Sequence, residues 1–237
     1  MINTIFFDID GTLLTIDKLS FHKEYSKRLC MYFSDMCSID TMSGILKIGT
    51  MNMIKNDGSR SNKEAFTEHL RDIVGNDTDK YLERFDTFYM NEFNKLSIFG
   101  KEKVHMKESI EILKEKGYKL AIASNPMLPL EAMKHRVRWS GIDPANFDFI
   151  SSFEDNNSTK ASPLFYKEMI SFMGKASAEC LMVGDDIKED MIASKVGVKT
   201  FLINEKDLSN SKTDVTIDYI GSTDKFLDFV KNLPSII

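Results

Sequence analysis

The sequence predicts an α/β fold: a doubly wound, Rossmann-like parallel sheet with a second, smaller unit made wholly of helices. Three observations lead there. Five or six short apolar runs are continuous rather than alternating, as strands covered on both faces are. Helical patterns with their own caps separate them, and alternating strand and helix calls for a parallel sheet with right-handed crossovers. Between the first run and the second lies a long stretch with no convincing strand, although a crossover needs only about a dozen residues.

The first run is Thr4 to Phe7. From there the chain enters residues 16–97, where apolar positions fall at helical spacing. Phe21, Tyr25, Leu29, Tyr32, Phe33 and Met36 form one stripe. Ser61 with Glu64 makes a capping box ahead of Phe66, Leu70, Ile73 and Val74. Tyr81, Leu82, Phe85, Phe88, Tyr89 and Phe93 form a third stripe, with aromatic content that core packing explains. Residues 16–97 therefore read as an inserted helical domain, and residues 1–15 with 98–237 as the sheet domain. The remaining strands are expected at Tyr118 to Ala123, Phe147 to Ser151, Cys180 to Val183, Val198 to Ile203 and, more weakly, Val215 to Ile220. Ser162 and Pro163 supply an N-cap and a first-turn proline for the helix that carries Leu164, Phe165, Met169 and Ile170. Gly117, Gly174 and Gly197 each follow a helical run, where a left-handed residue ends a helix most cheaply as glycine.

Composition narrows the partners. With 42% hydrophobic and 28% charged residues the chain has enough apolar matter for a core, which excludes intrinsic disorder. A net charge of −5 and a pI near 5.5 argue against nucleic acid and anionic membranes, both of which attract excess Lys and Arg. Cys30, Cys37 and Cys180 are odd in number and form no C-x-x-C pair, which speaks against a disulfide framework or a cysteine zinc site. No apolar run approaches the length of a membrane span, and Met1-Ile2-Asn3-Thr4 lacks the basic start of a secretion signal. A cytoplasmic protein is expected.

The chemistry concentrates at strand ends. Phe7-Asp8-Ile9-Asp10-Gly11-Thr12-Leu13 closes the first strand with two carboxylates two residues apart, which an extended chain points to one side. At the carboxyl end of a parallel strand they occupy the edge where open α/β sheets bind ligands. A calcium loop is disfavoured, because Gly11 follows the second Asp directly and position 17 is Asp rather than Glu. Gly44 to Gly49 has nucleotide-loop glycine spacing but continues with Thr50 instead of Lys, so no such loop is expected. A second acidic cluster, Gly184-Asp185-Asp186-Ile187-Lys188-Glu189-Asp190, follows the Cys180 strand, where a helix through Ile187, Met191 and Ile192 is expected to begin. Helix capping is the ordinary use of such acids. Paired with Asp8 on a neighbouring strand, they suggest a joint carboxylate site, and oxygen-only ligation selects magnesium or calcium. Ser124 and Asn125 end the Tyr118 strand with a hydroxyl, an amide and backbone N–H groups suited to phosphate. Lys160 stands just ahead of the Ser162 helix start. His22, His69, His105 and His135 show no zinc-ligand spacing.

In this order the four motifs resemble the haloacid dehalogenase superfamily, specifically its phosphatase-type members with an inserted α-helical cap. The match runs D-x-D-G-T-L at Asp8 to Leu13, the helical insertion, Ser124-Asn125, Lys160 with Pro163, and G-D-D-x-x-x-D from Gly184 to Asp190. Ala161 stands where such members usually carry Pro after the lysine, which leaves the ammonium in place. The resemblance implies a haloacid dehalogenase-type core that hydrolyses a small phosphorylated metabolite. Asp8 would be the nucleophile and Asp10 the general acid and base. Magnesium would be held by the Asp8 carboxylate, the Asp10 backbone carbonyl and Asp185, with Asp190 and Asp186 supporting the ion from behind its ligands. Ser124, the Asn125 N–H and Lys160 would bind the phosphoryl oxygens. Members that cleave carbon–halogen bonds lack an acid at the second aspartate, since a halide leaves without a proton, so Asp10 points to phosphoryl transfer.

Two other functions fit the same motifs. A sugar phosphomutase would use the same first aspartate, with His22 in the region where such enzymes carry a histidine, though at unexpected spacing. A non-catalytic phosphometabolite binder would not need every acid, Ser124 and Lys160. Lys47, Lys55 and Arg60 are candidates for meeting a second anionic group on the substrate. A monomer or weak homo-oligomer is expected.

Overall fold

The computed structural model describes residues 1–204 and 214–236. In chain order the regular elements begin with β1 (Thr4–Phe7), β2 (Leu14–Ile16), α1 (Lys18–Tyr32), α2 (Ile39–Ile54), α3 (Asn62–Val74) and α4 (Thr78–Asn91). They continue with β3 (Gly100–Glu102), α5 (Val104–Glu115), β4 (Lys119–Ile122), α6 (Leu130–Trp139), β5 (Phe149–Ile150) and α7 (Pro163–Phe172). The last are β6 (Cys180–Gly184), β7 (Lys199–Ile203), β8 (Tyr219–Gly221) and α8 (Thr223–Asn232). Short 3-10 turns lie at Gly75–Asp77, Phe93–Phe99, Pro144–Asn146, Ser177–Glu179 and Met191–Val196.

Six strands form one parallel sheet in the order β5-β4-β1-β6-β7-β8. Its apolar runs divide between two faces. Ile5 and Phe7 of β1 pack into the larger core with Ile110 and Leu113 of α5 and Phe226 and Val230 of α8. Phe6, between them in sequence, points into a second core with Phe165, Tyr166 and Met169 of α7. That two-sided burial is why the strand reads as a continuous apolar run. β1 pairs with β4 on one flank and β6 on the other, with Phe7 in register with Ile122 and Val183. The chain winds outward through β4 and β5, then returns to β6 on the far side of β1. This reversal sets a crevice at the carboxyl ends of β4, β1 and β6.

Between β2 and β3 every regular element of the described backbone is a helix, with turns between them. β2 and β3 themselves form an antiparallel ribbon, with Leu14 opposite Glu102 and Ile16 opposite Gly100, at the two points where the chain enters and leaves the helical insertion. The ribbon is absent from the sequence expectation, because three-residue strands carry no measurable periodicity. Helix α2 is the other addition. It buries Met42, Ile45, Gly49 and Met53 and absorbs the Gly44 to Gly49 segment into a regular helix. Ser61 and Glu64 form the expected capping box on α3, and Ser162 caps α7 with Pro163 in the first turn.

Several expectations are corrected in detail. Ile73 is exposed on α3 instead of joining its buried stripe, and α1 ends at Tyr32, short of Met36. The strand expected over Val215 to Ile220 is Tyr219–Gly221, and the one over Phe147 to Ser151 contracts to two residues. After β6 the chain makes turns and a 3-10 helix from Met191 rather than an α-helix from Ile187. Among the described residues no helix is long and apolar enough to cross a membrane, and all three cysteines are free thiols.

Candidate active site

The three central strand ends are laced together before any side chain is considered. The Asp8 N–H donates to the Val183 carbonyl at 3.0 Å, and the Ala123 N–H donates to the Phe7 carbonyl at 2.8 Å. Asp8, Ser124 and Asp185 therefore start from neighbouring positions on one edge. Behind Asp8 the chain turns tightly, with the Leu13 and Leu14 N–H groups both donating to the Ile9 carbonyl at 2.9 Å. Two glycines make room for carboxylates. Gly11 has φ +94°, and a Cβ there would overlap the Asp185 carboxylate. A Cβ at Gly184 would overlap the carboxylate of Asp190.

Lys160 is 2% exposed. Its Nζ donates to Asp8 Oδ1 at 2.7 Å and forms a second ion pair with Asp190 Oδ1. The segment that delivers it is organised by Glu168 of α7, which accepts hydrogen bonds from the Asn156 amide, the Asn157 N–H and the Ser158 hydroxyl. Asp8, Asp185 and Asp190 each place a carboxylate oxygen so that the three lie within 4.8 Å of one another. Burial pushes the Asp185 carboxyl above the usual range, and the negative charge of Asp8 pushes it further. Asp190 is raised by burial more than Lys160 lowers it. Burial alone would lower the Lys160 ammonium; Asp190 and Asp8 outweigh it and hold it well above the ordinary lysine range. Carboxylates crowded to this degree, with oxygen donors only, suit a small hard divalent cation.

Ser124 is buried, and its N–H donates to Ser151 Oγ at 3.1 Å while the Ser151 hydroxyl donates back to the Ser124 carbonyl at 2.7 Å. Asn125 Oδ1 accepts from the Lys160 N–H at 3.4 Å. Asp8, Asp10, Ser124, Asn125, Lys160, Asp185, Asp186 and Asp190 all line one cavity of about 690 Å³. Within that group Asp186 stands apart. Its Oδ1 accepts from the Lys188 and Glu189 N–H groups at 2.7 and 3.1 Å, a capping arrangement, and its own N–H donates to Asp190 Oδ2 at 2.9 Å. Of the three basic candidates in the insertion, Lys47 lines the cavity, while Arg60 is paired with Glu68 at 2.5 Å.

Sequence reasoning missed Arg136. It lies on α6, is 7% exposed, lines the same cavity and forms an ion pair with Asp10 Oδ2. The available signal was its place among Ala132, Met133 and Val137, which makes it a lone charge on a buried helix stripe. Its neighbours Lys134, His135 and Arg138 disguise it as part of a solvated basic face. His22 of α1 also lines the cavity; burial lowers its pKa, the Asp10 charge partly opposing this and Arg136 adding to it.

A family model described as haloacid dehalogenase-like hydrolase matches residues 2–197. The pyrophosphatase PpaX of Halalkalibacterium halodurans is 24% identical over 202 residues, 85% of this chain and 83% of that protein. The crystal structure of the HAD phosphatase from Thermococcus onnurineus superposes with a TM-score of 0.61 at 21% identity, covering 99% of this chain and 100% of the other. The L-2-haloacid dehalogenase of Xanthobacter autotrophicus, at 13% identity, gives 0.59 over 98% of this chain and 100% of that one. Structural likeness at these identities carries the fold and leaves the substrate open.

Proposed function

The chain belongs to the haloacid dehalogenase-like hydrolases, and from that premise we propose that it is a magnesium-dependent phosphatase of small phosphate monoesters, working through an aspartyl-phosphate on Asp8. One observation carries the reading: carboxylates that follow the first strand and the strand Cys180–Gly184, Asp8 and Asp190, meet at Lys160, in a cavity that also holds Asp10, Ser124 and Asn125. Asp10 separates this site from the dehalogenase alternative, because an alkoxide leaving group needs a proton and a halide does not.

In the first step an Asp8 oxygen forms a bond to phosphorus as the ester P–O bond breaks, and Asp10 gives its proton to the departing oxygen. In the second, Asp10 takes a proton from water as that water attacks phosphorus, releasing phosphate and restoring the Asp8 carboxylate. Arg136 pairs with Asp10 in its carboxylate form, the form that takes up a proton from water in the second step. The Ser124 hydroxyl, the Asn125 N–H and Lys160 bind the phosphoryl oxygens, offsetting charge where it gathers in the transition state. The Asp8 and Asp185 carboxylates and the Asp10 carbonyl would hold Mg²⁺, whose charge eases the meeting of an anionic nucleophile with an anionic ester. Asp190 keeps Lys160 in place, and Asp186 fixes the turn that presents Asp190. Residues 16–97 act as the cap that excludes water from the reacting groups.

The test is direct. Asp8→Asn should lower phosphate release from p-nitrophenyl phosphate by at least about a thousandfold with an unchanged thermal melt. Excess chelator should silence the wild-type protein. Near-normal turnover by Asp8→Asn, or full turnover in chelator, overturns the proposal. A phosphomutase reading draws on His22 in the same cavity; isomerised sugar phosphate in place of free phosphate would establish it.

A further inference from the structure

In the reaction above Asp10 acts twice, and its backbone is already fixed for the work. The Gly11 N–H donates to the Leu14 carbonyl at 2.7 Å, and Lys103 Nζ donates to the Gly11 carbonyl. What such a turn leaves open is the direction of the side chain. Arg136 closes that freedom at one oxygen. Its guanidinium pairs with Asp10 Oδ2, while Asp10 Oδ1, also buried, has no hydrogen-bond partner among the described residues. One oxygen is anchored, and the other is unengaged on a residue that lines the cavity. A buried acceptor without a partner is costly until something arrives to bond it, and in a hydrolytic site that something is water.

The anchor is itself held. Arg136 is buried, and so are Ala132, Met133 and Val137 around it on α6. Trp139 of the same helix donates to Asn94 Oδ1 at 2.8 Å and stacks on Phe93 with ring centroids 5.3 Å apart. Arg136 Nε has no hydrogen-bond partner among the described residues, so this buried charge is compensated at Asp10. A guanidinium stays charged and only donates, and it therefore favours a carboxylate over a carboxylic acid. The arrangement is that of the second step, in which Asp10 takes a proton, rather than of the first, in which it gives one.

Resting on the phosphatase reading above, we propose that Arg136 is a positioning residue for the second half of the reaction: by anchoring Asp10 Oδ2 it aims Oδ1 at the water that attacks the aspartyl-phosphate. In that step the water oxygen bonds to phosphorus and its proton passes to Asp10 Oδ1. The bond from phosphorus to the Asp8 oxygen breaks, and its electron pair returns to the Asp8 carboxylate. Arg136 acts only through Asp10.

The experiment follows Arg136→Met, as the full chain with Mg²⁺, on p-nitrophenyl phosphate and ethyl phosphate. Slowing the second step alone should lower kcat by about tenfold or more, a modest part of what a well-placed base contributes. KM should fall with it, so that kcat/KM stays within about threefold of wild type. Both esters should then share one kcat, because both wait on the same aspartyl-phosphate. p-Nitrophenolate should appear as a burst approaching one per chain, and acid-quenched protein should carry the phosphoryl group by mass. Arg136→Lys, which keeps the charge without the fork, should recover part of the lost kcat. An equal loss in kcat and kcat/KM with no phosphorylated protein, the outcome of loosened structure alone, overturns the proposal, as does a folded Arg136→Met with wild-type kcat. If Arg136→Met does not fold, Arg136→Lys carries the test: phosphorylated protein above the wild-type level supports the proposal, and its absence overturns it. A wild-type protein that releases phosphate from neither ester would count against the phosphatase reading, and this proposal would fall with it.

Discussion

Lys160 shows how one side chain sets the electrostatics of a site. It is the cation buried between Asp8 and Asp190, with Asp185 close by. Lys160→Met removes that cation and leaves three carboxylates facing one another, and breaking a buried pair in this way costs about 3–5 kcal/mol. In chelator the variant should melt well below wild type. Added Mg²⁺ should raise its melting temperature more than that of wild type, because the ion then supplies the missing charge; equal gains would show that these carboxylates do not share an ion. The residue itself was legible in the sequence only through order, since one lysine in a polar loop is ordinarily solvated. The acids were easier to find, being clustered after strands. Arg136 left no comparable trace: the ion pair with Asp10 joins a helix on one side of the sheet motif to a turn 126 positions earlier, and no local spacing encodes such a meeting.

Among the elements, β5 shows how a two-residue strand can survive at a sheet edge. Asp148, just before it, accepts from Lys119 Nζ at 2.6 Å and from the Leu120 N–H at 3.0 Å, and its own N–H donates to the Leu120 carbonyl at 2.7 Å. Burial tends to raise this carboxyl, but Lys119, the Leu120 N–H and Lys114 together bring it below its ordinary value of 3.8. A carboxyl depressed by folding stabilises the folded chain fully above its unfolded pKa and loses that effect as the pH falls through the folded one. Asp148→Asn should therefore be less stable than wild type in urea at pH 7, and the gap should close as the pH is taken below 3.8. A gap that persists in acid would mean that Asp148 acts through shape and not charge. Strands of four or five residues in the sheet centre were readable because both faces are apolar, as β1 and β6 show. The β5 and β8 edges and the β2–β3 ribbon were not, because at two or three residues their pairing depends on partners such as Asp148 and not on their own pattern.

At the scale of the whole molecule, the helical segment between β2 and β3 is fastened to the sheet beside Asn125 and Lys160 as well as through the β2–β3 ribbon. Asn62, at the start of α3, is fully buried. Its amide nitrogen donates to the Pro126 and Ser158 carbonyls, each at 3.1 Å, so one side chain clasps the loop that follows Asn125 and the segment that precedes Lys160. Backbone bonds reinforce it, from the Asn62 N–H to the Asn156 carbonyl at 2.8 Å and from the Lys63 N–H to the Phe153 carbonyl at 2.7 Å. On the other side, Trp139 of α6 donates to Asn94 Oδ1 at 2.8 Å, tying the helix that carries Arg136 to the insertion. The helical unit is therefore part of what positions the loops that carry Asn125 and Lys160. Asn62→Ala strands two buried carbonyls and should cost about 1–3 kcal/mol. The informative readout lies elsewhere: amide exchange should quicken around residues 125–127 and 156–160, on the sheet domain, and KM for a phosphate ester should rise while the carboxylate cluster stays assembled and kcat changes less. Faster exchange confined to residues 56–66 would reduce Asn62 to a local cap of α3 and leave the loops at 125–127 and 156–160 to hold themselves.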